Sequence, residues 1–593
     1  MKRNIFAFCL SLILLCGCDL DYTNTGAISP DNVWSDKTMI NAFLTDIYGR
    51  MMPGWSYPQN GTDEAMNGPG SLGSYERGQI NIDNCGQNLS YANIDRINFF
   101  LDQLESVTVL TDEEKKQLRG QALFWRAWDY WGKVWTVGGV PLILHFQDVT
   151  NIESLYVTRA KTSECVAQII ADLDEAIASL PDSWSGSDYG RIDKGIAMAY
   201  KGRVLLQYAS PLFNRNNDQS RWQAAYDANK KAIEFLSSHG KGLYQGDFAD
   251  IWYKEQNCEA IMVNQYYYPD HNYGQNATRP EPLTKDNANY GQAIFPMIMA
   301  FPKADGTPLE LDIDKLSDPE YNEQFMTDFY TNRDPRFYAT IFCPGTEYPS
   351  KDMLTDGKKY WNTWRKLVDN NGEEYIETMV KQELDRGVGA GYCGYFNLKG
   401  VDKDLTIASI YEADVDWIEI RYAEVLMNMA EAANEIGKTS EAIDVLKQIR
   451  QRAGIQAGAN DNYGITANTK EQVREAIFNE RFIEFANEGK RWSDIRRLMK
   501  FDMLNKIKYR ATLRPFLKDN GKVNGFDWTK DMYDDEVRKL FYFEYVECVD
   551  GDKQYCFNLD LNHWFYPLSK NMLDRNSKLE QNNEWDGTFD PLQ

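Results

Sequence analysis

The densest group of side chains that could carry out acid–base chemistry lies between Asn479 and Arg497. It combines carboxylates and cations at helical spacing with large apolar residues between them. Its charged members are Glu480, Arg481, Glu484, Glu488, Lys490, Arg491, Asp494, Arg496 and Arg497. Mixed charges at this spacing neutralise one another, and guanidinium groups pair bidentately with carboxylates where the geometry permits. The pattern therefore predicts a charged helix with structural ion pairs and not a catalytic acid–base set.

Other enzyme signatures are missing from the sequence. The four histidines, His145, His239, His271 and His563, have no paired metal-binding spacing, and no GxSxG nucleophile motif occurs. Residues 437–439 (GKT) end like a phosphate-binding loop, but Ala432 stands where that motif needs its first glycine, and Gly437 fits a helix C-cap. The sequence predicts a protein that is not an enzyme.

Carboxylates alone identify neither a hydrolase nor a metal site. A glycosidase needs two carboxyl groups at a set separation, and 88 Asp and Glu residues make any pair unspecific. A surface glycoside hydrolase therefore stays an alternative. Asp312, Asp314, Asp550 and Asp552 could bind calcium, but no loop matches the EF-hand pattern. We expect no cofactor and no catalytic metal, and leave a structural calcium open.

The N-terminus predicts export and lipid attachment. Lys2 and Arg3 precede an apolar run, residues 5–15, that is too short to span a bilayer. Residues 15–18 (LCGC) then match the lipobox of bacterial lipoproteins. We expect a signal peptide over residues 1–17, with Cys18 as the lipid-bearing first residue of the mature chain. No later stretch is long and apolar enough to cross the membrane as a helix.

The composition excludes some ligands. A net charge of -24 argues against nucleic acid, because a polyanion needs a basic footprint. A neutral ligand such as a sugar is compatible with an acidic surface. The cysteines after Cys18 have no CxxC spacing, so no zinc or redox motif is predicted. Cys548 and Cys556 flank a turn and could pair, although small buried hydrophobic roles are favoured for most of these cysteines.

Amphipathic helices dominate the first half of the chain and return late in it. Residues 111–114 and 469–472 are capping boxes that predict helix starts. Behind the first box, an apolar stripe that includes Trp125 and Trp135 indicates helix-pair core. The helices come in pairs with small residues at their contacts, which suggests tetratricopeptide-like units.

Between residues 241 and 410 the pattern changes to strands and long loops. Residues 259–268 are typical of a strand, and residues 369–372 (DNNG) predict a hairpin turn. We expect four parts in the mature chain: an N-terminal helical part, a loop-rich ligand region, C-terminal helix pairs and a C-terminal extension. Their boundaries are 18–240, 241–410, 411–500 and 501–593.

Motifs along nearly the whole chain resemble the SusD (RagB) family of Bacteroidetes outer-membrane lipoproteins. In family order they are residues 122–127 (ALFWRA), 138–143 (GGVPLI), 201–206 (KGRVLL), 210–214 (SPLFN), 332–336 (NRDPR), 479–485 (NERFIEF), 489–497 (GKRWSDIRR), 566–568 (YPL) and 580–585 (EQNNEW). The resemblance implies a mostly α SusD-like fold with four tetratricopeptide-like helix pairs and a loop-rich region with a few short strands.

The resemblance also implies a partner and a location. The partner would be a SusC-type TonB-dependent transporter, over which the lipoprotein sits as a lid. The protein would be anchored by lipid in the outer membrane and face the cell exterior, since Asp19 and Asp21 resemble the family's surface-exposure signal. Its function would be to capture an oligosaccharide or polysaccharide and deliver it to the transporter, and a peptide or other nutrient is the alternative ligand.

The family motifs are mainly scaffold, so the candidate binding residues come from polar loops. Sugars stack their apolar faces on aromatic rings while polar side chains bond their hydroxyls. A first loop contributes Trp55, Tyr57, Asp63, Tyr75, Arg77 and Asn84, and is favoured because family members often present ligand from it. Two further stretches contribute Tyr273, Tyr290, Trp361 and Trp364.

Overall fold

The computed structural model of the protein describes residues 33–55, 61–66, 72–86, 89–280, 283–285, 291–352, 364–378, 394–508, 510–518, 522–527, 529–548 and 556–593. The predicted signal peptide and Cys18 lie outside the described residues. Within them the protein is mostly helical and its strands are short. None of the described helices is both long and apolar enough to cross a bilayer.

The N-terminal part is a series of helices. They are α1 (Lys37–Met51), α2 (Ala92–Ser106), α3 (Asp112–Val137), α4 (Ile152–Leu155), α5 (Thr162–Ser179), α6 (Lys194–Ala209) and α7 (Gln219–Ser238). Helix α3 begins at the predicted capping box, where the Thr111 hydroxyl accepts from the Glu114 amide and the Glu114 carboxylate accepts from the Thr111 amide. It ends at Gly138, whose φ of 82° only glycine adopts without strain.

The remaining helices follow a region of loops. They are α8 (Phe295–Ala300), α9 (Pro319–Thr331), α10 (Pro335–Thr340), α11 (Tyr422–Glu435), α12 (Thr439–Arg452), α13 (Lys470–Glu484), α14 (Arg491–Arg497), α15 (Phe501–Leu504), α16 (Asp535–Arg538) and α17 (Lys570–Arg575). The second predicted capping box, at Thr469, opens α13.

Four helix pairs form one continuous stack, which confirms the predicted fold class. The pairs are α1 with α2, α3 with α5, α6 with α7, and α11 with α12. Helix α11 packs on α7, so the fourth pair continues the stack although the loop-rich region separates it from the third in sequence. Small residues permit this packing: a side chain at Gly202 of α6 would overlap Asn229 of α7, whose amide donates to the Gly202 carbonyl at 3.1 Å.

The tryptophan stripe of α3 is helix-pair core, as predicted. Trp125 and Trp131 are buried, and Trp128 and Trp135 are partly buried against the same core. Trp128 stacks on Tyr200 of α6 with ring centroids 4.5 Å apart. These rings therefore hold the helices together.

Most of the strands lie in the loop-rich region and the C-terminal extension, and all of them pair antiparallel. The strands are β1 (Ala65–Met66), β2 (Ala260–Asn264), β3 (Gln292–Ala293), β4 (Ile341–Phe342), β5 (Trp364–Val368), β6 (Glu374–Thr378), β7 (Phe396–Asn397), β8 (Trp417–Arg421), β9 (Arg510–Leu517), β10 (Lys522–Asn524) and β11 (Phe541–Cys548). In the described part of the chain, four small sheets have the orders β1-β3-β7-β4, β10-β6-β5, β11-β9 and β2-β8.

Two strand predictions have different outcomes. The turn at residues 369–372 does join β5 to β6, with Gly372 at a φ of 82°. The strand predicted over residues 259–268 is shorter, because β2 ends at Asn264 and the chain then pairs with itself at Tyr267 and His271. Cys556 is a free thiol, and the side chain of Cys548, its predicted possible partner, lies outside the described residues.

Candidate functional site

The charged segment from Asn479 to Arg497 is two helices and not the single helix predicted. Helix α13 ends at Glu484 and α14 begins at Arg491. Between them Asn487 has a φ of 62° and donates its backbone amide to Glu64 Oε1 at 2.7 Å. That tertiary bond uses an amide that a continuous helix would need for its own ladder, so the helix breaks.

Its charged groups form buried ion pairs, which confirms their predicted structural role. Arg336 of α10 pairs with Glu480 at 2.8 Å and with Glu484 at 2.9 Å, and all three side chains are fully buried. Arg421 at the end of β8 holds Glu488 through two bonds of 2.8 and 2.9 Å. The network joins the loop-rich region to α13 and forms the rigid base beside which the candidate site lies.

Two aromatic residues that were predicted from separate loops meet in the structure. The rings of Trp55 and Tyr273 stack with centroids 5.4 Å apart and an interplanar angle of 20°. Trp252 and Trp417 pack against Trp55 at centroid distances of 5.5 and 5.0 Å. Trp252 and Trp417 are buried and therefore support the aromatic surface. Trp55 and Tyr273 are half-buried and form that surface.

Strands β2 and β8 bring these residues together. Asn264 pairs with Trp417 at the end of the two-stranded sheet, so the chain after β2 runs beside the chain before β8. Tyr273 and Ala413 then exchange backbone hydrogen bonds of 3.0 and 3.1 Å. The Trp55 indole donates to the Val415 carbonyl at 2.6 Å, which fixes the ring against this ladder.

Glycine makes the close approach to Trp55 possible. Gly400 has a φ of 69°, and a β-carbon at this position would overlap the Trp55 ring. Gly54 plays the same part for Tyr266, since a β-carbon there would overlap the Tyr266 hydroxyl. Both positions exclude larger residues for reasons of space.

Amide side chains line the cavity beside the stacked rings. The cavity has a volume of about 120 Å³, and Gln275, Asn397 and Asn487 contribute to its wall together with Trp55 and Tyr273. We call these five residues the Trp55 site. The Gln275 amide donates to the Tyr273 hydroxyl and to the Gly400 carbonyl, both at 2.9 Å. The side-chain amide of Asn487 donates a hydrogen bond to Asn397 Oδ1 at 2.7 Å.

Exposed tyrosines continue the aromatic surface outside the cavity. Tyr267 and Tyr268 are 56% and 53% exposed, and Tyr411 is also exposed. Tyr411 lies against Gly274, next to Tyr273, where a β-carbon would collide with its ring. Exposed large aromatic side chains of this kind mark interaction surfaces when they cluster.

Two buried carboxyl groups adjoin the site. Burial raises the pKa of Glu64 to about 7, although the hydrogen bond from the backbone amide of Asn487 lowers it. Burial also raises the pKa of Asp416 to about 6, although Asp416 accepts the Tyr266 amide at 2.8 Å. Glu64 fixes the backbone at Asn487, and Asp416 fixes the backbone at Tyr266. Because both carboxyl groups are buried, neither is a good candidate for an acid–base catalyst.

Four predicted binding residues lie elsewhere in the first loop. Asp63 is buried in a bidentate ion pair with Arg491 at 2.6 and 2.8 Å. Tyr75 is buried and stacks on Tyr566 with centroids 4.3 Å apart. Arg77 is half-buried, and Asn84 is exposed but bonded within its own turn. The structure does not bring these four into the Trp55 site.

The other four predicted side chains lie outside the described part of the chain. Tyr57, Tyr290 and Trp361 lie outside the described residues. Trp364 begins β5, and its side chain is likewise outside the description. Among the described side chains, no group of three or more His, Cys, Asp and Glu residues could hold a metal ion.

Sequence reasoning missed the supporting and polar parts of the site. Trp252 lies in a 3-10 helix and Trp417 opens a strand, so neither has the loop context that was used as the signal. Gln275, Asn397 and Asn487 are common residue types with no local pattern. The stacked rings and amide groups together suit a ligand with flat apolar faces and hydroxyl edges.

Comparison with known proteins identifies relatives along most of the chain. A model of the SusD family matches residues 258–585, more than half of the chain, and a model described as starch-binding and associating with the outer membrane matches residues 44–206. A SusD-like protein of Formosa agariphila, named P2, is 25% identical over 529 residues, which cover 84% of this chain and 91% of that protein.

Solved structures share the fold. A SusD-like protein from Bacteroides fragilis superposes with a TM-score of 0.67 at 23% identity, over 93% of this chain and 98% of that one. A structure described as a laminarin-binding SusD-like protein gives a TM-score of 0.55 at 19% identity, over 92% and 99% of the two chains. Together with the helix-pair stack and the match over residues 258–585, these findings show that the chain belongs to the SusD family.

Proposed function

We propose that the protein binds a glycan at the Trp55 site and hands it to a SusC-type TonB-dependent transporter. The observation that carries the proposal is the stack of Trp55 and Tyr273 beside the amides of Gln275 and Asn487. An aromatic face takes the C–H face of a sugar ring, and amides donate to and accept from its hydroxyl groups. The exposed Tyr267, on the same hairpin as Tyr273, would extend the contact beyond the cavity.

The size of the site favours a chain of sugars over a single small molecule. A cavity of about 120 Å³ is below the usual range of about 300–1,000 Å³ for an enclosing ligand pocket. One sugar unit would therefore seat partly in the cavity, and neighbouring units would lie on the exposed aromatic surface. The loop-rich region, 241–410, supplies most of this surface.

The relatives support a carbohydrate ligand. One matching family model is described as starch-binding, and one structural neighbour is described as laminarin-binding. The description of the former as associating with the outer membrane supports the location that we propose for this chain: lipid-anchored in the outer membrane and facing outward. We further propose that the protein binds without cleaving, because buried ion pairs occupy its densest charged cluster.

Affinity electrophoresis and calorimetry with polysaccharides test the binding proposal. The purified soluble chain, residues 19–593, is measured against laminarin, amylopectin, xylan, pectin and mucin glycans. We expect Trp55→Ala and Tyr273→Ala each to weaken binding of the retained glycan about tenfold or more, since each substitution removes one stacking face. Reducing-sugar release is measured in the same samples, and none is expected.

Trp184 provides a matched control. Like Trp55, it is half-buried and donates its indole N–H to a backbone carbonyl, that of Ile192 at 2.9 Å. Trp184→Ala should bind glycan as the wild type does. The proposal is wrong if no glycan of the panel is bound while a peptide library is, or if the wild type cleaves the glycan that it binds.

A further inference from the structure

A second, larger cavity is bordered by the same chain segment, residues 397–403, as the Trp55 site. Its volume is about 610 Å³, within the usual range for ligand pockets. Residues of the segment line both cavities: Leu398 and Lys403 line the larger one, whereas Asn397, Lys399, Gly400 and Val401 line the smaller. Leu398 and Val401 are three residues apart, so the two cavities are separated by at most about 11 Å of backbone.

Tyrosine rings dominate the wall of this larger cavity. Tyr253, Tyr338 and Tyr533 line it, and we call it the Tyr533 cavity. The Tyr338 and Tyr533 rings lie 5.8 Å apart at 70°, and Tyr533 is 42% exposed. The fully buried Tyr330 packs edge-on behind Tyr533 and donates its hydroxyl to the Pro344 carbonyl at 2.7 Å. The rings thus present an aromatic surface with a fixed support.

The exposed Tyr533 is held in place by its backbone. The Met532 amide donates to the Gly345 carbonyl at 3.0 Å, which attaches the turn that carries Tyr533 to the chain after β4. Asp534 then caps α16 by accepting from the Glu536 amide at 2.9 Å. Little backbone entropy is therefore lost when a ligand contacts this ring, because the backbone that carries it is already ordered.

Polar groups of both signs surround the rings. Lys403 and Glu347 line the cavity, and the Lys403 ammonium lies 4.8 Å from the Tyr253 ring centroid. The Tyr253 hydroxyl donates to the Val401 carbonyl of the shared wall at 2.8 Å. An ammonium donates to a sugar hydroxyl and a carboxylate accepts from one, so the pair suits a neutral, hydroxyl-rich ligand.

We propose that the Tyr533 cavity is a second glycan subsite, which binds a further stretch of the same polymer as the Trp55 site. Its ligand class rests on the proposed function. Two linked contacts raise the affinity for a long chain, because the second binding event becomes intramolecular. A short oligosaccharide that fills only the Trp55 site gains nothing from the second contact. The protein therefore selects for chain length as well as for sugar identity.

Two substitutions test the second subsite without disturbing the core. Tyr533→Ala removes an exposed ring, and Thr331→Trp places a large side chain at the exposed last residue of α9, which lines the cavity. Tyr156→Ala is the control, since Tyr156 is half-buried in the N-terminal part and lines neither cavity. Each variant of residues 19–593 is titrated with the polysaccharide that the wild type retains and with its shortest bound oligosaccharide.

We expect Tyr533→Ala and Thr331→Trp each to lower the affinity for polysaccharide about tenfold and to change that for the oligosaccharide less than twofold. Trp55→Ala should weaken both. Wild-type affinity for polysaccharide in both cavity variants would overturn the second subsite and leave the Trp55 site intact. Loss of polysaccharide binding in the cavity variants alone, with Trp55→Ala unchanged, would support the subsite and overturn the Trp55 site. If the wild type retains none of the panel, both proposals fail.

Discussion

Glu64 is a buried carboxylic acid that the fold holds next to the Trp55 site. Its Oε1 accepts the Asn487 amide, and Asn487 lines the cavity with its side chain. Its Oε2 is buried without a hydrogen-bond partner among the described residues. An ionised carboxylate with one such oxygen is costly in a desolvated position, which is why burial raises its pKa to about 7.

The Glu64→Gln substitution should make stability less dependent on pH. The folded pKa of Glu64 lies above its unfolded value, so its stabilising contribution is present at low pH and is lost as pH rises toward about 7. Glutamine keeps the acceptor for Asn487 and carries no charge. We expect the variant to gain up to about 3 kcal/mol in free energy of unfolding relative to wild type at pH 8, and little at pH 4.

Urea unfolding of wild type and variant at a series of pH values measures this effect. Glu153→Gln, at an exposed glutamate of α4, is the control and should follow the wild-type pH profile. Parallel pH profiles for wild type and Glu64→Gln would show that Glu64 ionises normally and would contradict the burial argument.

Two of the five residues of the Trp55 site were predictable from sequence, but their neighbours were not. Trp55 and Tyr273 were predicted because each is an aromatic residue in a polar loop. Their stacking depends on the β2–β8 pairing and on Gly400, whose missing side chain leaves room for the Trp55 ring. Asp63 was predicted from the same loop, but it is buried against Arg491. Sequence reasoning could not foresee this ion pair because the two residues lie far apart along the chain.

Among the structural elements, α10 and α13 are joined by a buried guanidinium. Arg336 pairs with Asp334 in its own turn and with Glu480 and Glu484 of α13. Removing one partner from a buried network leaves buried charge that is less completely compensated and that water does not reach. The stability of the network therefore depends on each member, although the whole network adds little over a well-packed apolar core.

Arg336→Met should accordingly destabilise the protein by about 3–5 kcal/mol, since it leaves the buried Asp334 without its guanidinium and takes one cation from each of Glu480 and Glu484, which keep Arg450 and Arg421. Arg50→Met is the matched control, because Arg50 pairs with Asp46 at the surface of α1. An exposed pair of this kind contributes about 0–1 kcal/mol. Thermal and urea unfolding compare the two variants, and equal losses would mean that the buried network contributes no more than a surface pair.

Local signals predicted element starts better than element ends. Both capping boxes mark real helix starts because the bonds that define them lie within four residues. The break after Glu484 escaped prediction because its cause is a hydrogen bond from Asn487 to Glu64, 423 residues away in sequence. Helical periodicity indicates which face of a helix is apolar. It does not indicate where a distant carboxylate will accept a hydrogen bond from a backbone amide and end the helix.

At the scale of the whole molecule, the helix stack and the loop-rich region have separate tasks. The four helix pairs form one continuous scaffold, and the loop-rich region inserted between the third and fourth pairs supplies most of the lining of both cavities, to which Trp55, Asn487 and Tyr533 are added from other parts of the chain. Helix α11 closes the stack on α7, so the insertion leaves and returns at neighbouring helices. Such an arrangement lets loops vary for ligand while the scaffold keeps its packing, which is how function is commonly placed on a fold.

The proposed anchor makes a prediction for the full-length chain in cells. If Cys18 carries lipid, Cys18→Ala should abolish palmitate incorporation and release the protein from the outer membrane. Each buried methylene of an acyl chain contributes about 0.8 kcal/mol to membrane attachment, so several acyl chains on Cys18 suffice as an anchor. None of the described helices could serve instead. We expect wild type, and not Cys18→Ala, to be digested by protease added to intact cells and to co-purify with a TonB-dependent transporter from detergent-solubilised membranes.

Cys16→Ala is the matched control for this experiment, because Cys16 lies two residues earlier in the predicted signal peptide. It should keep both palmitate labelling and protease sensitivity, which would assign the lipid to Cys18 and not to any cysteine of the segment. Labelling that persists in Cys18→Ala would contradict the anchor. Labelled wild type that resists added protease would instead place the protein on the inner leaflet, where it could not meet extracellular glycan.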